Sequence, residues 1–309
     1  MNIMLIDLDS TIPNLALMKI AAYHRERGDS VSWNTNAPDK VYISCIFRKN
    51  AKKADSSAAM LRATYGDIEI DIGGPGYDLK KRLPLEIETI MPDYSIYPDC
   101  EYSLGFTTRG CIRNCSFCIV PKKEGKLKKV SDIEKIHNPK HSAIKLLDNN
   151  VLAMPENFKH ICDYCAENNL KVDFSQGLDA RLLTDELAAY LAKVKPLACF
   201  DFAFDSWDYE QDVIKTVELL KKHGINPRNK VMFYVYCSND LDGPTGIKSA
   251  IRRCYKLREL GTNPYVMLNI DSEPSAIMKD LKRWANRKPI FWSTDFKNYN
   301  RKYKNYEWC

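Results

Sequence analysis

The sequence contains no run of 18 uninterrupted apolar residues, so nothing in it predicts a membrane span. Its opening segment, MNIMLIDLDSTIPNL, lacks a basic n-region and carries an acid inside its apolar stretch, the wrong pattern for a signal peptide. We therefore expect a cytoplasmic protein with no membrane partner. Histidine is scarce and scattered, at five residues, and repeats and low-complexity tracts are absent. Strong bulk charge is absent too. The 46 lysines and arginines exceed the 40 acids by only six, which does not by itself demand a nucleic-acid partner. A disulfide framework is disfavoured because the 11 cysteines are odd in number and the expected compartment is reducing. Free thiols, metal ligands or catalytic groups remain.

What is present is an ordinary globular composition, 45% hydrophobic and 28% charged over 309 residues, enough for about two domains. Over residues 1–82, strand-like runs (Asn2–Asp7, Ser30–Trp33, Lys40–Ile46, Asp67–Ile72) alternate with helical patterns (Leu15–Arg27, Ala51–Tyr65). That alternation predicts parallel βαβ units, a small Rossmann-like domain. Pro84, Pro92 and Pro98 mark 83–100 as a linker. From 101 to 275 the alternation restarts. Strands are expected at Tyr102–Thr107, Ala143–Leu147, Lys171–Ser175, Ala198–Phe204, Lys230–Cys237 and Pro264–Ile270. Helices are expected at Pro155–Asn168, Thr184–Val194, Asp208–His223 and Gly246–Leu260. The α/β class follows. Six strands with crossovers suggest a partial (β/α)6 barrel with its functional groups at the C-terminal strand ends.

The sharpest signal follows the first strand of that second half: Gly110-Cys111-Ile112-Arg113-Asn114-Cys115-Ser116-Phe117-Cys118. Cysteines at i, i+4 and i+7 can wrap one inorganic cluster from a single loop, and thiolates are the ligands that hold iron–sulfur clusters. A zinc site would want a fourth ligand. By contrast, one accidental C-x-x-C is expected roughly 0.4 times in a chain of this cysteine content, so the spacing of Cys162 and Cys165, inside a helical pattern, is uninformative and leaves a second metal or redox pair open.

The segment resembles the radical S-adenosylmethionine (SAM) superfamily, whose signature is C-x-x-x-C-x-x-C with an aromatic before the last cysteine. Cys111, Cys115, Phe117 and Cys118 match it. Cys118-Ile-Val-Pro121 resembles the C-x-x-P extension of the methylthiotransferase and cobalamin-associated branches. The resemblance implies a 4Fe-4S cluster on Cys111, Cys115 and Cys118, with one iron open to SAM. It implies one-electron cleavage of SAM to a 5′-deoxyadenosyl radical, and an electron donor such as flavodoxin or ferredoxin. The SAM-binding candidates are Phe117 and the strand-end residues Asp148, Asn149, Ser175, Gln176, Arg181, Asp205 and Ser206. Arg181 can equally form an ion pair with Asp179. Cys237-Ser-Asn-Asp240, Asn269 and Asp271 would face substrate. Cobalamin on the N-terminal domain is an alternative to a cofactor-free domain. Asp7-Leu-Asp9 lacks the histidine that would ligate it, while Gly73-Gly74-Pro75-Gly76 would allow close approach of a nucleotide tail.

Residues 276–309 change character. From Asp280 onward eight lysines and arginines face three acids, interleaved with eight aromatics from Trp284 to Trp308. Such a tail either packs its rings on the preceding fold or binds nucleic acid or a nucleotide, with cations on phosphates and rings on bases. The other class of function is a non-enzymatic zinc- or Fe–S-binding module with a nucleic-acid-binding tail. In it Cys115 and Cys118 would pair with Cys162 and Cys165. The substrate and the final reaction cannot be read from the sequence.

Overall fold

The computed structural model describes residues 1–269 and 273–303. It is mixed α/β with parallel sheets and divides into two units, Met1–His141 and the chain from Ser142 onward. Among the described residues no helix is long and apolar enough to cross a membrane.

The first unit is built on a parallel sheet of β1 (Asn2–Asp7), β2 (Ser30–Ser32), β3 (Lys40–Ser44) and β4 (Glu69–Gly73), in the order β2-β1-β3-β4. Two helices cover it, α1 (Leu15–Glu26) and α2 (Ala51–Tyr65). Asn14 caps α1 by accepting the Leu17 N–H at 3.1 Å. The period-2 alternation of β1 sends Ile3 and Leu5 to Leu17, Met18, Ile20 and Ala21 of α1. It sends Met4 to Ala54, Ala58 and Leu61 of α2. Residues 83–100, expected as a linker, instead join this core. Ile87 of α3 (Leu85–Glu88) and Ile96 are buried in the α1 cluster, with Leu83, Tyr94 and Tyr97 against it. Their prolines mark irregular backbone, and the apolar residues between them keep it packed. The unit continues through β5 (Ser103–Gly105). A short antiparallel hairpin follows, β6 (Thr108–Arg109) with β7 (Lys128–Lys129), and α4 (Val120–Lys123) lies between its strands. The second unit therefore begins at Ser142, 41 residues beyond the start expected at 101.

In the second unit, β8 (Ala143–Leu146), β9 (Lys171–Phe174) and β11 (Lys195–Pro196) run parallel in the order β11-β9-β8. A second parallel sheet has the order β10-β12-β13-β14, from β10 (Leu178–Asp179), β12 (Phe200–Ala203), β13 (Val231–Cys237) and β14 (Asn263–Leu268). The crossovers are α5 (Pro155–Glu167), α6 (Asp185–Ala192), α7 (Glu210–Lys222), α8 (Pro227–Lys230) and α9 (Ile247–Glu259). Thr184 caps α6 from its hydroxyl, as the Thr-Asp-Glu start predicts. In β13 the alternation is complete. Val231, Phe233, Val235 and Cys237 are buried, and Met232, Tyr234 and Tyr236 lie on the other, half-buried face. The expected end of β14 at Ile270 lies outside the described residues.

The tail forms α10 (Ala276–Ala285), α11 (Lys288–Ser293) and α12 (Phe296–Tyr299). Trp284, Phe291, Phe296 and Tyr303 are buried, with Trp284 in ring contact with Phe291 and Phe296. Lys282, Arg283, Arg287, Lys288 and Lys297 are exposed. Rings turned inward with cations outside are the pattern of a packed amphipathic segment, not of a stacking platform for bases. Tyr306 and Trp308 lie outside the described residues.

Candidate metal centre and cofactor-binding strand ends

The three cysteines sit on the loop between β6 and α4, in the first unit. The hairpin ties this loop at its base, and Arg109 reinforces the tie. Its guanidinium donates to Glu88 at 2.6 Å and to Glu124 at 3.3 Å and lies over the Phe106 ring. Burial alone would raise the Glu124 carboxyl, but Arg109 and Lys123 beside it hold it below the ordinary value. Gly110 has φ +84°, and a Cβ there would collide with the Lys126 carbonyl, so this position needs glycine twice over. The Cys111 N–H donates to the Gly125 carbonyl at 3.3 Å and that of Cys118 to Cys115 at 3.0 Å, which sets the loop's turns.

Cys111, Cys115 and Cys118 are half-buried and form no disulfide. Two of their sulfurs already accept backbone donors: Arg113 N–H reaches Cys111 Sγ at 3.3 Å and Val120 N–H reaches Cys118 Sγ at 3.5 Å. Thiolate is the form in which cysteine binds metal. Phe117 is exposed beside them. Among the described residues no three His, Cys, Asp or Glu side chains converge tightly enough for a single metal ion. Cluster ligands differ in that each thiolate binds its own iron, so they need not share one coordination sphere. The donor set and the N–H···S bonds suit such a cluster.

The remaining candidates stand at C-terminal strand ends of the second unit. Asp148 (buried) and Asn149 follow β8, Ser175 and Gln176 follow β9, Arg181 follows β10, and Asp205 and Ser206 follow β12. Asn150 Nδ2 donates to Asp179 Oδ2 at 3.3 Å, joining the ends of β8 and β10. Arg181 makes the alternative ion pair: Nε and Nη2 grip Asp179 at 2.6 and 3.1 Å, with the guanidinium over the Tyr209 ring. The Tyr209 hydroxyl accepts the N–H groups of Asp205 and Ser206, at 2.6 and 3.0 Å. Asp205 Oδ1 accepts the Tyr236 N–H, yet burial pushes its carboxyl up to about 6. Ser206 is drawn into capping, bonding Asp208 at 2.6 Å. Gln176 is exposed. Ser175 Oγ is buried with no hydrogen-bond partner, an orphan a bound ligand would satisfy.

Arg253 escaped the sequence reading. It is fully buried on α9 and donates to the carbonyls of Phe204 at 2.6 Å and Tyr236 at 2.9 Å, clamping the ends of β12 and β13 beside Asp205. Its signal was a cation on the apolar face of that helix, among Ala250, Cys254 and Leu257. His137 and His141 stand four residues apart but form no ligand pair. His137 Nε2 meets the His141 carbonyl, and His141 Nδ1 meets Ser103.

Other residues have structural explanations. Cys162 and Cys165 are fully buried in α5, where burial pushes the Cys165 thiol up to about 12 and Cys162 well above the ordinary value. The glycine loop after β4 packs against the chain itself, since a Cβ on Gly74 would strike the Cys45 carbonyl. Asp9 turns inward to accept the N–H groups of Ile46 and Phe47 and the Asn50 amide. Asp271 lies outside the described residues. No family model matches the chain, and no curated protein matches it.

Proposed function

We propose that the chain is a radical SAM enzyme. The carrying observation is the loop of Cys111, Cys115 and Cys118, three thiols outside any disulfide on one tied loop, with backbone donors on the Cys111 and Cys118 sulfurs. A 4Fe-4S cluster held there would supply the electron that cleaves SAM to methionine and a 5′-deoxyadenosyl radical. In this reading the parallel strands of the second unit serve as the wall of a partial (β/α)6 barrel, whose strand ends hold SAM. Asp148 and Asn149 receive the ammonium of SAM, and the orphan Ser175 hydroxyl bonds a polar group of it. Asp205 and Ser206 are presented by the Tyr209 hydroxyl, and Arg253 positions that turn from behind. Flavodoxin or ferredoxin serves as electron donor.

Zinc shared between Cys115, Cys118, Cys162 and Cys165 is the weaker reading, because the second pair lies in the core with thiols held protonated. Anaerobically reconstituted protein should be brown, contain iron and sulfide, and release 5′-deoxyadenosine from SAM on reduction. A colourless protein that retains zinc and releases none overturns the proposal. SAM deuterated at its methyl group then separates group transfer, with label in the product, from hydrogen abstraction alone.

A further inference from the structure

From Gly110 to Val130, six lysines and arginines stand against one acid, Glu124. The structure sorts these charges. The Glu124 carboxylate is almost closed off from solvent and is taken by Arg109 at 3.3 Å and Lys123 at 3.2 Å. Lys129 pairs with Asp132 at 2.6 Å. Lys122, Lys126 and Lys128 are exposed, and among the described residues no carboxylate lies within ion-pair distance of them.

Three apolar side chains of the same segment are exposed as well: Ile112, Phe117 and Ile119. Single exposed apolar residues are ordinary, but three within eight positions, beside unpaired cations, mark an interaction surface. The hairpin keeps the two sets together. The Cys111 N–H bonds the Gly125 carbonyl at 3.3 Å, and a Cβ on Gly110 would strike the Lys126 carbonyl, so the chain at Lys126 lies against the start of the cysteine run. The Lys122 N–H bonds the Ile119 carbonyl at 3.1 Å, which places Lys122 one turn beyond Ile119. Lys128 pairs with Arg109, two residues before Cys111.

Charge alone would describe a solvated face, and location is what selects a partner. Under the function proposed above, on which this inference rests, one electron has to reach a cluster on Cys111, Cys115 and Cys118 from outside the chain. Electron transfer falls off steeply with distance, so a carrier has to dock close to this loop. We propose that the exposed side of the loop is the docking surface of an acidic one-electron carrier protein. Lys122, Lys126 and Lys128 steer the acidic partner, and Ile112 and Ile119 give it a small apolar contact that parts readily, as a carrier that must turn over requires. The carrier loses one electron to the cluster and leaves oxidised.

The first test needs no cluster. Calorimetric titration of the metal-free full chain with an acidic flavodoxin, at low salt, should show saturable binding. Lys122→Glu/Lys126→Glu/Lys128→Glu should weaken it about tenfold or more, and added salt should weaken wild type toward the variant. Thermal melts check the fold, and a triple glutamine variant, expected to lie between the two, keeps the test decisive if the glutamate variant does not fold. The second test uses reconstituted protein. Dithionite, a small reductant that needs no docking surface, should drive 5′-deoxyadenosine release equally in wild type and variant. Reduced flavodoxin below saturation should drive the variant about tenfold more slowly at equal iron content.

The docking surface is overturned if wild type shows no flavodoxin binding into the millimolar range, or if the glutamate variant binds as wild type does. A variant that keeps flavodoxin binding but loses a single-stranded RNA oligonucleotide gives the patch to nucleic acid instead. Wild type that binds flavodoxin yet releases no 5′-deoxyadenosine with dithionite overturns the radical SAM reading, and the carrier's role with it.

Discussion

The loop cysteines of the first unit and the core cysteines of the second differ in their surroundings. Cys111, Cys115 and Cys118 lie half-buried on a loop of the first unit, and the sulfurs of Cys111 and Cys118 accept backbone N–H groups. Cys162, Cys165, Cys237 and Cys254 of the second unit are buried in helices and strands, and burial pushes the last two up to about 11 and about 12. The C-x-x-C of α5 and the C-x-x-C that ends the loop are the same text. Surroundings separate them: burial raises the thiols of α5, whereas the loop cysteines stand partly open to solvent.

That comparison can be broken most severely by substitution. Cys118→Ala should abolish iron incorporation and SAM cleavage together. Cys165→Ala should keep full iron content and cost about 1 kcal/mol of stability, as small core truncations do. Iron analysis of the two variants checks both, and loss of iron from Cys165→Ala would erase the distinction. A second test needs no metal. In metal-free native protein, alkylation followed by peptide mapping should mark Cys111, Cys115 and Cys118 on the order of a hundredfold or more faster than Cys162, which reacts only through local opening.

The remaining predictions sharpen the contrast from the side of the second unit, where buried polar groups replace half-buried thiols. Arg253→Met leaves the Phe204 and Tyr236 carbonyls without their donor and should lower unfolding free energy by about 2–4 kcal/mol, read from denaturant midpoints. Asp205 is read out by pH. Its folded-state pKa, about 6, stands above the ordinary 3.8, so between these values the native state binds the proton more tightly than the unfolded chain. Stability should therefore fall as pH rises from about 4 to about 6, by at most about 3 kcal/mol. Asp205→Asn should flatten that slope. A wild-type midpoint that rises with pH across the window in step with the variant would contradict the assignment.

Much of the fold was legible because periodicity is a physical signal. The run VMFYVYC is β13, and the helical patterns 155–168 and 246–260 are α5 and α9 to within a residue at either end. Strands of two residues, β6, β7, β10 and β11, carry too few positions for any period, and they were missed. The prolines of 83–100 spoke to backbone irregularity and were silent on packing, although Ile87 and Ile96 lie between and beside them. In the tail, Leu281, Trp284 and Ala285 already stood at helical spacing, the mark of an inward stripe. The cysteine loop was legible from spacing alone, because thiols at fixed offsets are rare. Arg253 and the contacts of His24 with Asp29 and Tyr42 were not, since each joins residues whose partners are remote in sequence or are backbone carbonyls.

The short hairpin that joins Arg109 to Lys128 would, under the proposed function, have a kinetic consequence for cluster assembly. Closing an open coil of about 18 residues would cost about 2–3 kcal/mol of chain entropy. Here the pairing of β6 with β7 closes the ring. Assembly of a cluster then meets a preformed mouth instead of a fluctuating strand, in contrast to small zinc domains that collapse only around their ion. A chelator should accordingly bleach the protein without unfolding it, and iron should return to the stripped chain with no refolding phase.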